Sequence, residues 1–339
     1  YIKQILMKLL ITGGSGYVGS RLTYFLLEKY KDLIIYNYDL SFFGDEHLPL
    51  SNKNYIYIKE DIRNSIKFNE TLNNNKIDVV LHLACLSNDP SFELNPKISK
   101  SINYECFEDL VLLSKKNSVK KFIYASSSSV YGVSDSPRVD ETHELIPLTD
   151  YNKYKGLCEP ILQKHLNNDF QGIIIRPATV CGYSEKMRFD LSVNILTNFA
   201  YNKNYINIFG GEQYRPNLHI DDMCDLYDLL IFTDTKKFNG EIFNAGSQNL
   251  KIKEIAEKVA KIVTQYTKKK IELNYSKNDD NRSYRITSDK INDVLKFKIS
   301  KNIEDAIHDL CIAFDKKLLE KSFDEQFVNI KTLQKLNLT

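Results

Sequence analysis

KLLITGGSGYVGS, residues 8–20, decides how the rest of the chain is read. Lys8–Thr12 is a short β-rich apolar run, and Gly13, Gly16 and Gly19 follow at intervals of three, just before a helix-like stretch near 17–30. Glycines at a strand-to-helix turn let the backbone bend tightly and approach a pyrophosphate seated at the helix N-terminus. Gly13, Gly16, Tyr17, Val18 and Gly19 are therefore candidate cofactor contacts. Asp39 stands 20 residues beyond Gly19, at the end of a second strand-like run. A carboxylate there accepts hydrogen bonds from the adenosine ribose and repels a 2′-phosphate, so the expected cofactor is NAD rather than NADP.

Further short apolar runs lie at 33–38, 55–58, 79–82, 121–125 and 172–176, separated by helix-like stretches near 66–74, 98–116 and 151–169. Strands apolar on both faces and alternating with helices predict an α/β chain with a Rossmann-type, doubly wound parallel sheet. After residue 182 the pattern changes. Helices are expected at 191–201, 221–232, 251–265 and 303–320, with a core strand at 241–244 and another strand near 271–275. The predicted organisation is a nucleotide-binding domain of residues 7–180 plus about 217–247, interleaved with a smaller C-terminal α/β substrate lobe of about 181–216 plus 248–320. Residues 321–339 are weakly patterned and read as a tail; Met7 is expected to be the natural start, with 1–6 lying upstream.

The 339 residues are 42% hydrophobic and 27% charged, the composition of an ordinary globular protein large enough to bury a core without staples. Forty-six basic against 44 acidic side chains give a net charge of +2, which supplies no field for nucleic acid. No apolar run reaches the roughly 18 residues of a membrane span, so no membrane partner is expected. Six cysteines without a Cys-x-x-Cys pair read as reduced thiols of a cytoplasmic protein. His143-Glu144 is followed by Pro147 where a zinc-protease helix needs its second His, and no metal site is expected.

The remaining motifs run in a fixed order: Asp61-Ile62-Arg63, HLAC at 82–85, SSSSVYG at 126–132, Tyr151-x-x-x-Lys155, RPATVCG at 176–182 and RPNLHIDD at 215–222. Together with TGGSGYVG the set resembles the extended short-chain dehydrogenase/reductase family, in particular its NAD-dependent nucleotide-sugar epimerases and dehydratases. The resemblance covers nearly the whole chain from Met7 to about Leu319. It implies that Asp61 and Ile62 cradle the adenine, that Ala84 and Cys85 line the cofactor with backbone, and that Asn103 lies beside it. His82 is read as structural.

The same resemblance places catalysis on Tyr151, Lys155 and Ser127. Tyr151 and Lys155 are four apart on a predicted helix and share a face. A nearby ammonium and the nicotinamide charge would favour the phenolate, which takes the proton of a sugar hydroxyl while hydride leaves. Ser127 would hydrogen-bond the reacting oxygen. The 4,6-dehydratases carry an Asp-Glu pair immediately after that serine, whereas this chain has Ser128-Ser129.

On the substrate side, Arg215 and Arg282 match family arginines that grip the nucleotide diphosphate; Arg188 and Asn194 are further candidates. Galactose epimerases have an Asn in the segment corresponding to 176–182, but Ala178-Thr179-Val180 stands here. With MRFDLSVN this is similar to capsule-cluster enzymes that oxidise GDP-heptose at C4. The expected activity is NAD-dependent oxidation at C4 of a nucleotide-diphosphate sugar. A 4-epimerase, the commoner outcome in the family, comes first. A 4-dehydrogenase releasing the keto sugar is the alternative, and a 4,6-dehydratase ranks below both. A rival of another class is a non-catalytic NAD(H)-sensing protein on the same fold. A homodimer through helices 98–116 and 151–169 is implied by the resemblance alone.

Overall fold

The computed structural model describes residues 7–276 and 283–336. In chain order the elements begin β1 (Lys8–Thr12), α1 (Tyr17–Lys29), β2 (Ile34–Tyr38), β3 (Tyr55–Ile58), α2 (Ser65–Asn75) and β4 (Val79–His82). Then come α3 (Asp89–Glu93), α4 (Pro96–Lys100), a π-helical turn (Ser101–Glu105), α5 (Phe107–Lys116), β5 (Lys121–Ala125) and α6 (Asp150–His165). β6 (Gln171–Pro177), β7 (Thr179–Cys181), α7 (Ser192–Lys203), β8 (Tyr205–Phe209), β9 (Tyr214–His219) and α8 (Ile220–Phe232) follow. The chain ends with β10 (Ile242–Ala245), β11 (Gln248–Lys251), α9 (Ile252–Thr267), β12 (Glu272–Ser276), α10 (Asp289–Leu295), α11 (Ile303–Asp315) and α12 (Asn329–Lys335).

Seven strands form one parallel sheet in the order β10-β6-β5-β4-β1-β2-β3. Successive side chains on a strand point to opposite faces, so the apolar runs seen in the sequence feed two cores at once. Leu9, Ile11, Ile35, Leu81 and Ile123 meet α1 and α8 on one face, through Leu22, Leu26, Leu226 and Leu230. Leu10, Tyr36, Val80, Phe122 and Ile174 meet α2, α5 and α6 on the other, through Phe68, Leu72, Leu110, Val111 and Leu162. The fold is the Rossmann-type doubly wound sheet expected from the sequence. β10 lies one residue beyond the expected 241–244 and pairs Phe243 with Ile175.

A third apolar cluster packs α7, α9 and α11 around β8, with Val193, Ala200, Ile206, Val259 and Ile307 at its centre. A three-stranded sheet, β11-β9-β7, and the pair β12-β8 accompany these helices. One expectation is corrected. The helix expected over 98–116 is broken into α4, the π turn and α5. Within residues 321–336, α12 buries Leu333 in the second core. No described helix is long and apolar enough to cross a membrane.

Candidate active site

The strand order reverses between β1 and β4, and the crevice at such a switch point is where α/β sheets bind ligands. A cleft opens there, lined by the glycine loop, the ends of β2 and β4, and residues from α6 and the 177–188 segment. Gly13 has φ +77°, and a Cβ there would lie 2.6 Å from the Ala84 nitrogen. At Gly19 a Cβ would lie 2.6 Å from the Gly13 carbonyl oxygen. Only glycine leaves room for this close approach of backbone to backbone, and a diphosphate can then reach the amides at the start of α1.

Asp39 lines the same cleft. It accepts hydrogen bonds from the backbone N–H of Ser15 (2.9 Å) and of Ser41 (2.7 Å). Burial pushes its carboxyl above the usual range, partly offset by those donors. Asp61 and Ile62 form the next part of the wall. Burial opposes ionisation of Asp61, but Arg63, with its backbone N–H at 2.8 Å and its Nε at 3.0 Å, brings the carboxyl below the usual range. Gly13, Gly16, Tyr17, Val18, Gly19, Ala84 and Cys85 all line the cleft too. A tight glycine cradle, the Asp39 carboxylate and the Asp61-Ile62 pair, all in one cleft wall, together fit NAD.

Thr149 caps α6, accepting from the N–H of Asn152 (3.4 Å). Tyr151 therefore sits in the first turn of the helix, and Lys155 one turn later; both face the cleft. Lys155 is 3% exposed and donates from Nζ to the carbonyl of Ala125 at 2.7 Å. Its own carbonyl accepts from Tyr124 Oη at 3.1 Å. Behind it His82 Nδ1 lies 2.7 Å from Thr12 Oγ1, and burial together with Lys155 pushes the imidazole down to about 3. His82 is thus a neutral core residue.

Burial raises the Tyr151 phenol well above its ordinary value; Cys85, Asp89 and Tyr284 add to the rise, and the cation that most opposes it is Arg188. Ser127 lies one residue beyond the wall residue Ser126. Its Oγ is 2.7 Å from Ser129 Oγ, and Ser129 in turn donates to Asn152 Oδ1. Ser128 Oγ and Tyr284 Oη are 3.3 Å apart. The two positions where the dehydratases carry carboxylates are therefore occupied by hydroxyls engaged with neutral partners.

Other sequence candidates lie outside the cleft wall. Asn103, on the π turn, accepts from Leu86 N–H (2.8 Å) and donates to Leu86 O (3.1 Å), so its amide shapes the loop after β4. Asn194 is fully buried; it accepts from Gly182 N–H (3.0 Å) and donates to Tyr17 Oη (3.2 Å) and Arg188 O (3.1 Å). Arg215 is on β9, with Nη1 donating to Tyr214 O at 3.0 Å. Arg282 lies outside the described residues. Arg188 does reach the cleft wall.

Sequence reasoning missed Asp89, Ser87, Lys186, Tyr284 and Asn329. Asp89 accepts from Thr149 Oγ1 at 2.5 Å and borders Tyr151 electrostatically. Lys186 is a buried wall residue donating to Gln326 O at 2.8 Å, with its ammonium pushed down to about 8 by burial. The Asn88-Asp89-Pro90 run carries a helix-start signal that could have flagged Asp89. Nothing in the tail's composition pointed to Asn329. Away from the cleft, His219, Asp221 and Asp309 bring ligand atoms within 4.8 Å of one another. Asp221 there is already paired with Arg21 at 2.9 Å and Lys301 at 2.6 Å.

Comparison with known proteins agrees with this geometry. Residues 9–246 match the model of the NAD dependent epimerase/dehydratase family. A dTDP-D-glucose 4,6-dehydratase of Dictyostelium discoideum is 27% identical over 275 residues, 76% of this chain but 62% of that protein's length. A UDP-glucose 4-epimerase of Lactobacillus helveticus is 26% identical over 281 residues, 77% of this chain and 84% of the relative. Among solved structures, an epimerase from Methanothermobacter thermautotrophicus superposes with a TM-score of 0.82 at 22% identity, covering 93% of this chain and 95% of that one. A dTDP-glucose 4,6-dehydratase from Bacillus anthracis in complex with NAD gives 0.78 at 21%, covering 91% and 97%. The matched span is well over half of the sequence, and the chain belongs to the NAD dependent epimerase/dehydratase family.

Proposed function

We propose that the protein oxidises C4 of a nucleotide-diphosphate sugar and returns the hydride to the other face, as a nucleotide-sugar 4-epimerase. The observation that carries the choice within the family is the Ser128-Ser129 pair. Removing water across C5 and C6 needs an acid and a base at those positions, and here hydroxyls engage Tyr284 and Asn152. When bound, NAD supplies the hydride acceptor. The glycine loop, Asp39 and Asp61-Ile62 would hold it, with Lys155 at the nicotinamide ribose.

Tyr151 Oη takes the C4 hydroxyl proton and later returns it to the same oxygen. Lys155, fixed by Ala125 O, stands one helical turn away from that phenol. Ser127 Oγ hydrogen-bonds the reacting oxygen as it becomes a carbonyl. Arg215 and Arg282 are the proposed diphosphate ligands. A second reading, a 4-dehydrogenase that releases the keto sugar, uses the same three groups. It is favoured over galactose epimerisation by Ala178-Thr179-Val180, which offers no amide side chain. The reading also includes a homodimer through α5 and α6, whose outward faces expose Leu112 (42%) and Leu157 (39%).

Incubation of the NAD-loaded protein with UDP-, dTDP- and GDP-sugars in D2O separates the outcomes. An epimerase yields the C4 epimer with no deuterium at C5. A dehydrogenase accumulates NADH and keto sugar. A 4-keto-6-deoxy product deuterated at C5 would overturn the proposal.

A further inference from the structure

We propose that Asn152 is a positioning residue for Ser127: its amide, acting through Ser129, decides whether the Ser127 hydroxyl can donate its proton to the reacting oxygen. The inference rests on the reading of Ser127 as the group that hydrogen-bonds that oxygen, and deepens it.

A hydroxyl carries one proton, whereas a carbonyl oxygen only accepts. Asn152 Oδ1 accepts from Ser129 Oγ, so the single Ser129 proton is committed to the amide. The Oγ atoms of Ser127 and Ser129 lie 2.7 Å apart, and with Ser129 already donating elsewhere the proton between them belongs to Ser127. The Ser127 oxygen in turn accepts from the backbone N–H of Ser129 at 3.2 Å, as the cap of the short turn Ser128–Tyr131. The chain therefore runs from Ser127 to Ser129 to Asn152, and the one proton Ser127 owns is spent inside it. In this arrangement Ser127 offers the substrate only a lone pair. An oxygen gaining negative charge at C4 needs a donor instead.

Reversing the chain frees that donor. With the Ser127 proton on the reacting oxygen, Ser129 turns its own proton to Ser127, and its lone pair then faces the lone pair of Asn152 Oδ1. A half-turn of the amide removes that conflict by bringing Nδ2, a donor, to Ser129. Two features of the site favour such a turn. Asn152 is 1% exposed, and its Nδ2 has no hydrogen-bond partner among the described residues. The turn exchanges one unpaired amide atom for the other, so no hydrogen bond is given up. The backbone also stays in place, since Asn152 sits in the first turn of α6 with its N–H on Thr149 Oγ1 at 3.4 Å. Hydrogen bonds that run one way along a chain polarise one another. The reversed chain, from Asn152 through Ser129 and Ser127, thus strengthens its last bond at the oxygen where negative charge develops.

A carboxylate at position 152 would have nearly the outline of the amide but only accept, and would lock the chain in its closed direction. The test compares Asn152→Asp, Ser129→Ala, their combination and Ser127→Ala, each NAD-loaded and mixed rapidly with a saturating UDP-, dTDP- or GDP-hexose, whichever the parent oxidises. NADH absorbance is the readout. Asn152→Asp should form NADH about 10²-fold more slowly than the parent, as Ser127→Ala does, with KM for the sugar little changed, because a donor to the developing oxyanion is lost. Ser129→Ala takes away the acceptor that holds the Ser127 proton and should be much milder. The combined variant should run at the Ser129→Ala rate, because the carboxylate then has no hydroxyl to hold. A change that acted only through packing, or through the added charge beside Tyr151, would survive the loss of Ser129. A combined variant as slow as Asn152→Asp therefore overturns the proposal, as does Asn152→Asp at the parent's rate. If Asn152→Asp fails to fold, the parent labelled with 15N-asparagine and saturated with the same hexose decides. The Asn152 Nδ2 signal, assigned by its loss in Asn152→Ala, should move to lower field as it becomes a donor to Ser129, and an unmoved signal overturns the proposal. Failure of the underlying reading looks different: Ser127→Ala would then keep the parent's rate.

Discussion

Replacing Glu159 by Ala would strand a buried guanidinium next to α6, the helix that carries Tyr151 and Lys155. Glu159 lies on α6, two turns beyond Tyr151, and is 1% exposed. Its Oε1 accepts from Ser126 Oγ (2.6 Å) and Arg176 Nε (2.9 Å), and its Oε2 from Arg176 Nη2 (2.6 Å). Arg176, 3% exposed, also donates to Tyr131 Oη at 2.8 Å, and Tyr131 donates to Asn244 Oδ1 at 2.9 Å. The pair therefore sets the register of α6 against the strand end that carries Ser126 and Ser127. Removing one partner of a buried ion pair costs about 3–5 kcal/mol, because the other charge is left without compensation. Urea unfolding of Glu159→Ala should show that loss as a lower midpoint at unchanged slope. Glu159→Leu combined with Arg176→Met removes both charges and should regain most of the stability, while sugar oxidation stays impaired because Ser126 has lost its anchor. A loss below about 1 kcal/mol in Glu159→Ala would refute the reasoning.

Other consequences can be checked separately. Gly13→Ala places a methyl 2.6 Å from the Ala84 nitrogen at a positive φ, so NAD binding measured by calorimetry should be lost while the fold survives by circular dichroism. Tyr151→Phe should retain NAD affinity and lower the turnover of a nucleotide sugar by roughly 10²–10⁴-fold. His82 is held neutral in the fold, down to about 3, whereas an unfolded imidazole protonates near 6.5. Below that value the unfolded chain binds the extra proton, so this contribution to stability falls as pH drops from about 6.5 towards 3. In His82→Gln, unfolding free energies across that window should show a shallower acid slope than the parent.

Much of the fold was legible because its central strands bury both faces. Lys8–Thr12, Tyr55–Ile58, Val79–His82 and Lys121–Ala125 stand where their apolar runs end. The 98–116 region misled because periodicity says nothing of Asn103, whose amide binds Leu86 and sits on an inserted π turn. The glycine loop could be read because the close backbone approach at Gly13 and Gly19 demands glycine there. Arg188 could be named but not placed, since its partner Ser87, and Asn329 of α12, which bonds Ser87 and Asp190, lie far from it in sequence. The C-terminal segment was opaque for a further reason. It bonds largely through main-chain atoms, the carbonyls of Gln326 and Phe327 and the N–H of Asn329, and these leave no trace in side-chain pattern.

In the proposed reaction C4 of a nucleotide sugar is the carbon that loses hydride, with Tyr151 taking the proton. Rapid mixing of the NAD-loaded protein with a nucleotide sugar deuterated at C4 tests it directly, read by the near-ultraviolet absorbance of NADH. Transient NADH should appear more slowly with deuterium at C4 than with hydrogen, with no such slowing for deuterium at C5 and no transient in Tyr151→Phe. An isotope effect at another carbon, or the same transient in Tyr151→Phe, would contradict it.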